Sequence, residues 1–303
     1  MELNVKKKFV AFISIISNVI LTLLKIIAGY FSGSISIISE AIHSLSDVFA
    51  SVLTFFSVLK SSKPADDDHP YGHGKYEDMS GFIEGLLIVF ASFYIIYEAL
   101  NKVLSNNIMQ TENNLGIIVM FVAVLANISV SNILFKTAKE SNSISLYADA
   151  QHLRTDVYSS LGVLGGLILI KITGYYILDS IIAILIALFI FKTGYNISKK
   201  AFANLLDHSL EDSDIEKIKE IIKQFPDTKL KENGIKTRQT GPSIDIDLIL
   251  QFDGDTTINT CHKICDEIEV LIRQTFGNCQ ISIHSEPVSS IQNCKNDNLQ
   301  KLK

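Results

Sequence analysis

The sequence predicts an α-helical membrane protein with six transmembrane helices and a C-terminal cytosolic α+β domain of αββαβ order. Three observations carry that prediction. Apolar runs long enough to cross a bilayer, which takes about 20 residues, recur as far as about Ser198. From about Asn204 onward the chain is charged and carries amphipathic and alternating patterns instead. Lysines concentrate in every second connection between the apolar runs, the asymmetry that orients membrane helices. The expected domains are 1–203 in the membrane, 204–288 in the cytosol, and 289–303 as a polar, disordered tail.

Of the 303 residues, 48% are hydrophobic and 19% charged, an average over two unlike parts. The net charge of −5 offers no basic surface for nucleic acid. A basic segment, Met1 to Lys8, precedes an apolar run too long for a signal peptide, so no cleavable leader is expected. All four cysteines, Cys261, Cys265, Cys279 and Cys294, lie in the C-terminal part. In a cytosolic domain they are expected to be reduced thiols.

The six spans are placed at 9–30, 35–59, 79–103, 115–135, 144–172 and 177–196. Lys6, Lys7 and Lys8 precede the first. Lys60, Lys63 and Lys75 follow the second, Lys136 and Lys139 the fourth, and Lys199 and Lys200 the sixth. The opposite connections offer little beyond Lys102 and Lys171. Both termini are therefore expected in the cytoplasm, in a multi-pass protein of the cell (inner) membrane. A bend at Gly29-Tyr-Phe-Ser-Gly33 is expected to join the first two helices, and Lys25 to snorkel toward the nearby interface.

Inside the second span, His43 and Asp47 lie four residues apart, on one helix face. A charged group at the helix centre costs about 2.5–3.5 kcal/mol on insertion scales, so two ionisable groups there imply a use. The fifth span repeats the pattern as His152-Leu-Arg-Thr-Asp156. Two such helices face to face supply two imidazoles and two carboxylates, a tetrahedral shell for a divalent metal. Gly162, Gly165 and Gly166 would let the fifth helix approach a neighbour closely. Asp149 and Arg154 also read as polar residues of a helix start at the interface.

The first cytoplasmic loop runs Lys63-Pro-Ala-Asp-Asp-Asp-His-Pro-Tyr-Gly-His-Gly-Lys-Tyr-Glu77, held out of helix by its prolines and glycines. Asp66, His69 and His73 place two of the chain's seven histidines among its aspartates, which favours metal contact over a merely solvated loop. Glu84 lies inside the third span and receives no ligand role. Asn127, Ser129, Ser131 and Asn132 in the fourth read as interhelical hydrogen-bonding groups. The sixth is almost purely apolar and reads as support.

In the C-terminal part, Asp212-Ser-Asp214 opens a helix with Ile215, Ile218, Ile221 and Ile222 on one face. A strand at about 228–238, the turn Thr240-Gly-Pro-Ser243 and an alternating strand from Ile244 follow. An amphipathic helix at 258–276 and a strand at 280–284 complete a ferredoxin-like or metallochaperone-like sandwich, a sheet with helices on one face.

The chain resembles the cation diffusion facilitators, proton-coupled exporters of divalent metals, over nearly its whole length. The resemblance rests on Gly33-Ser-Ile-Ser, His43-x-x-x-Asp47, Pro64-Ala-Asp-x-x-His-Pro-Tyr-Gly-His-Gly-Lys75, His152-x-x-x-Asp156, Leu205-Leu-Asp207, Thr237-Arg-Gln-Thr-Gly-Pro242 and His284-Ser-Glu-Pro287, in this order. It implies that His43, Asp47, His152 and Asp156 form the transport site and that Asp66, His69 and His73 form a loop metal site. It further implies cytosolic metal sites at His262 and His284, with Glu286 or Asp247 as neighbours. A homodimer follows from the same resemblance, with a charge interlock of Lys75 and Asp207 near its interface. Asn233 and Ile249 stand where some members have histidines, so one weaker cytosolic site is expected rather than a two-metal cluster. Cys261 or Cys265 could complete such a site, although both also read as plain helix residues.

Neutral imidazole and carboxylate bind metal, whereas their protonated forms do not, so such a shell exchanges metal for protons. Two nitrogens and two carboxylates suit Zn(II) above Mn(II); Fe(II), Cd(II) and Co(II) remain open. An intramembrane metalloenzyme would need an open coordination position and a base, and no His-Glu-x-x-His occurs, so no enzyme activity is expected. A membrane metal sensor without transport would leave the buried ionisable groups unexplained.

Overall fold

The computed structural model describes residues 2–32, 35–105, 114–173 and 177–288. The chain divides into two compact units, one ending at Leu205 and one beginning at Leu206.

Among the described residues, the first unit has six long helices: α1 (Glu2–Ser32), α2 (Ile35–Ser61), α3 (Lys75–Ser105), α4 (Asn114–Ser141), α5 (Ile144–Thr173) and α6 (Ile177–Leu205). All five prolines of the chain fall outside them, so no helix loses an internal hydrogen bond to an imide. Among the described residues, 3–28, 75–101, 121–141 and 181–205 are each long and apolar enough to cross a membrane. The side chains of α2 and α5 are described only in part, chiefly from Ser44 onward and as far as Leu161.

These helices are longer than the expected spans because their polar ends continue the helical hydrogen bonding beyond the apolar stretch. α1 begins at Glu2, α3 at Lys75, and α6 runs past Asn196 to Leu205. The expected bend at Gly29 is corrected: α1 stays helical through Gly29 to Ser32, leaving only Gly33 and Ser34, which lie outside the described residues.

The bundle is apolar outside and polar within. On α1, Phe9, Phe12, Ile16, Ile20, Leu23 and Ile27 are exposed, as a lipid-facing surface must be. Lys7, Ser14, Asn18, Thr22 and Lys25 are buried at helical spacing on the opposite face. α1 packs on α2 and α4, α3 on α6, and α5 on α2, α3, α4 and α6, which puts α5 at the centre. Glycine explains the closeness of α3 and α6. A Cβ on Gly194 would lie 2.9 Å from Gly85 O and 2.9 Å from Ile88 Cγ2. An apolar cluster of Val10, Val58, Leu134, Leu146 and Leu153 closes the unit on the other side of α5.

The second unit runs α7 (Asp212–Ile222), β1 (Thr228–Thr240), β2 (Ser243–Phe252), α8 (Ile258–Phe276) and β3 (Cys279–Pro287), the αββαβ order read from the sequence. β1 pairs antiparallel with β2, and β2 parallel with β3, giving the sheet order β1-β2-β3. Ile246, Leu248, Leu250 and Phe252 face the helices, where Ile218, Ile222, Ile268 and Ile272 cover them. Thr257 caps α8 by accepting from the Thr260 backbone N–H. The register of β1 on β2 shifts between Leu230 and Ile235. There Asn233 adopts a φ of 57°, and a Cβ on Gly234 would meet Ile249 O at 2.9 Å. Asn233 and Ile249 thus adjoin one bulge.

Candidate metal centre

α2 and α5 pack together in the bundle, and their contact is polar. Asp47 on α2 and His152 and Asp156 on α5 offer ligand atoms that all lie within 4.8 Å of one another. His152 Nε2 is 3.1 Å from Asp47 Oδ1. Asp47 and His152 are 6% and 5% exposed, so this contact is made away from solvent. His152 Nδ1 is also buried and has no hydrogen-bond partner. The backbone around Asp47 is held by α1: Asn18 Nδ2 donates to Asp47 O at 3.3 Å, and Thr22 Oγ1 to Ser44 O at 3.1 Å. Three of the four expected transport ligands therefore come together. The fourth, His43, lies one turn from Asp47 on α2, and its side chain is outside the described residues; the packing at Gly162, Gly165 and Gly166 is likewise outside them.

Several further polar groups are buried in the bundle. Lys25 does not snorkel. It is buried between α1 and α2, its Nζ donating to Ser44 Oγ at 2.6 Å, because its side chain sits on the polar stripe of α1 rather than on the lipid face. Asp149 is no interfacial residue either: it is fully buried, and neither carboxylate oxygen has a hydrogen-bond partner. Glu84 is fully buried too, its Oε1 accepting from Thr54 Oγ1 and, at 3.0 Å, from Ser80 Oγ, with Oε2 unpartnered. Near the start of α3, Glu77 is buried against Lys7, with Ser61 and Ser143 also donating to its carboxylate. The available signal was spacing: Ser14, Asn18, Thr22 and Lys25 follow one another at intervals of four, four and three.

On α4, Ser129 and Ser131 bond back to their own helix, to Leu125 O and Ile128 O. Asn132 does reach across, accepting from Arg154 Nη2 at 3.1 Å while Arg154 lies 3.9 Å over the Phe135 ring.

The loop residues also converge. Asp66, His69 and His73 offer ligand atoms within 4.8 Å of one another. Asp66 Oδ1 accepts from the His69 backbone N–H at 2.8 Å, and Asp66 Oδ2 is 3.3 Å from His73 Nε2. The His69 N–H holds the Asp66 carboxyl below the usual carboxylate range, assisted by the nearby histidines. His73 Nδ1 lies 3.2 Å from Pro64 O, a backbone carbonyl that can only accept. Gly72, at φ 83°, turns the chain between the two histidines.

Among the described residues, the cytosolic candidates do not form one group of three or more ligand atoms. Asp247 pairs in register with Ser282 and is exposed on the sheet face opposite the core. His284 pairs with Ile249 and Glu286 with Gln251, on that same face. The Glu286 carboxylate is engaged by Lys231 Nζ at 2.8 and 3.0 Å, with His284 Nε2 at 3.6 Å. His262 stands apart on α8, exposed beside Asp266. Cys265 is in the domain core and Cys261 packs against it; burial pushes the Cys265 thiol up. Cys294 lies outside the described residues. Lys75 Nζ donates to Leu205 O at 3.4 Å, and Asp207 Oδ2 lies 3.4 Å from Arg238 Nη1.

Comparison with known proteins gives the same two parts. The family model for the cation efflux transmembrane domain matches residues 11–206, and that for the cation efflux protein cytoplasmic domain matches residues 210–288. An uncharacterized transporter of Synechocystis, sll1263, is 32% identical over 88% of this chain and 85% of its own length. The cation-efflux pump FieF of Shewanella oneidensis is 28% identical over 91% of this chain and 92% of its own. The cation-efflux pump FieF of Escherichia coli is 27% identical, with 90% of each chain covered.

Proposed function

This chain belongs to the cation efflux family, and we propose that it exports Zn(II) from the cytoplasm in exchange for protons, through Asp47, His152, Asp156 and His43. It is a multi-pass membrane transporter of divalent cations, not an enzyme, and its C-terminal domain is cytoplasmic. The finer reading rests on one observation, the 3.1 Å contact of His152 Nε2 with Asp47 Oδ1 between α2 and α5. The atoms that touch there are the ones a metal ion would need. A hydrogen bond between them contains a proton, and a bound cation replaces that proton while keeping both atoms as ligands. Metal and proton thus compete for one place, which is the requirement for exchange. The contact also spans two helices, so a change in its occupant changes what holds α2 to α5, and the two helices can open to one side or the other.

The donor set favours zinc within the divalent cations. Imidazole nitrogen with carboxylate oxygen in a buried, four-ligand shell suits Zn(II), while Mn(II) prefers more oxygens and a higher coordination number. Asp66, His69 and His73 form a second metal site in the loop on this reading, and two copies of the chain associate as a homodimer in the cell membrane.

The test is transport by the purified chain in proteoliposomes carrying an internal pH dye. A zinc gradient should drive protons in the direction opposite to the metal, and Mn(II) at equal concentration should drive far less flux. Zinc movement with no proton movement would defeat the exchange, and equal transport of Mn(II) and Zn(II) would defeat the selectivity.

A further inference from the structure

Among the described residues, three carboxylate oxygens of fully buried side chains in the bundle have no hydrogen-bond partner: both of Asp149 and Oε2 of Glu84. A buried polar atom without a hydrogen bond is uncommon and costly, and calls for an unseen ion, proton or water. The two residues are neighbours in the electrostatic sense, each close enough for Asp149 to act on Glu84 and for His152 to act on both. Ser14 of α1 lies beside Asp149 but outside hydrogen-bonding geometry, so its hydroxyl is also left over.

Their place along the helices gives the orphaned oxygens a direction. Asp149 precedes His152 on α5 by three residues, about 4.5 Å toward the cytoplasmic end at 1.5 Å per residue. Glu84 on α3 is anchored from α2 by Thr54, which follows Asp47 by seven residues, about 10 Å toward the same end. Both carboxylates therefore lie on the cytoplasmic side of the Asp47–His152 contact, where an exported ion must pass. Neither offers ligand atoms to the cluster of Asp47, His152 and Asp156.

We propose that Glu84 and Asp149 form a further, oxygen-based cation site in which a divalent metal ion from the cytoplasm is held before it reaches Asp47, His152 and Asp156. This rests on the export reading. The site takes a dication because only carboxylate oxygen is available for charge neutralisation there, with hydroxyls of Ser14, Ser80 and Thr54 at hand. Lacking imidazole, it binds more weakly than the next station, as passage requires.

The experiment counts Zn(II) ions retained at equilibrium by the purified full chain carrying Asp47→Asn, with and without Glu84→Gln and Asp149→Asn. One ion should be lost when the two carboxylates are removed; equal retention overturns the proposal. In proteoliposomes, Glu84→Gln alone should raise the zinc concentration for half-maximal flux about tenfold, and an unchanged value counts against the site. If the substituted chains do not fold, the unsubstituted chain decides. Zn(II) should protect Glu84 from a membrane-permeant carbodiimide, and labelling indifferent to Zn(II) overturns the site. Failure of the export reading looks different: Asp47→Asn would then leave flux intact, whatever Glu84 does.

Discussion

Lys25 Nζ donates to Ser44 Oγ at 2.6 Å, three residues along α2 from Asp47. Residues three apart share a helix face, so this buried ammonium lies on the side of α2 that carries the candidate ligand. A cationic side chain on that face opposes a dication and favours its departure. Lys25→Met should lower the zinc concentration for half-maximal flux and slow maximal transport, each several-fold, measured in proteoliposomes. Unchanged kinetics would reduce Lys25 to a packing group.

Glu77 neutralises Lys7 and accepts from Ser61 and Ser143, all in the cytoplasmic part of the bundle. Removing one partner of a buried pair leaves the other charge stranded, at a cost of about 3–5 kcal/mol. Glu77→Ala should therefore sharply lower the unfolding temperature in detergent. Asp214→Ala, which breaks an exposed pair with Lys217, should leave it nearly unchanged.

Gly194 sets the approach of α3 and α6. A Cβ there meets Gly85 O, Ile88 Cγ2 and Val89 N at 2.9–3.0 Å. Two of those atoms are backbone, so the helices must part. Gly194→Ala should destabilise the first unit by about 1–3 kcal/mol, read as a lower melting temperature. Melting at the original temperature would mean that the two helices have slack.

Cys265 is 7% exposed in the cytoplasmic-domain core, with its thiol pushed up by burial. A raised pKa means less thiolate at neutral pH, and thiolate is the reactive form. Alkylation followed by mass spectrometry should modify Cys261 well before Cys265. Rapid modification of Cys265 in the folded chain would contradict its place in the core.

What could be read from the sequence was what lies close in the chain. Asp66, His69 and His73 fall within eight residues, so one loop brings them together. The αββαβ order followed from local periodicity, each strand or helix announcing its own period. The meeting of Asp47 with His152 joins residues 105 apart, and it was inferred only because two separate spans repeat one spacing. The polar stripe of α1 carries little signal in the sequence, because Ser14, Asn18 and Thr22 are small, uncharged and singly ordinary in a membrane helix. Lys25 and Asp149 sit close enough to helix ends to pass as interfacial residues, and which way a side chain faces is decided by neighbouring helices. The β1 bulge at Asn233 left no mark on the alternation used to find strands.

The most direct measurement is zinc flux through Asp47→Ala in proteoliposomes, alongside the unsubstituted chain and with folding and oligomeric state checked by gel filtration. The account predicts a well-folded protein of unchanged assembly whose flux falls to the level of empty vesicles. Flux that persists at the original rate in such a protein would mean that the cation crosses elsewhere.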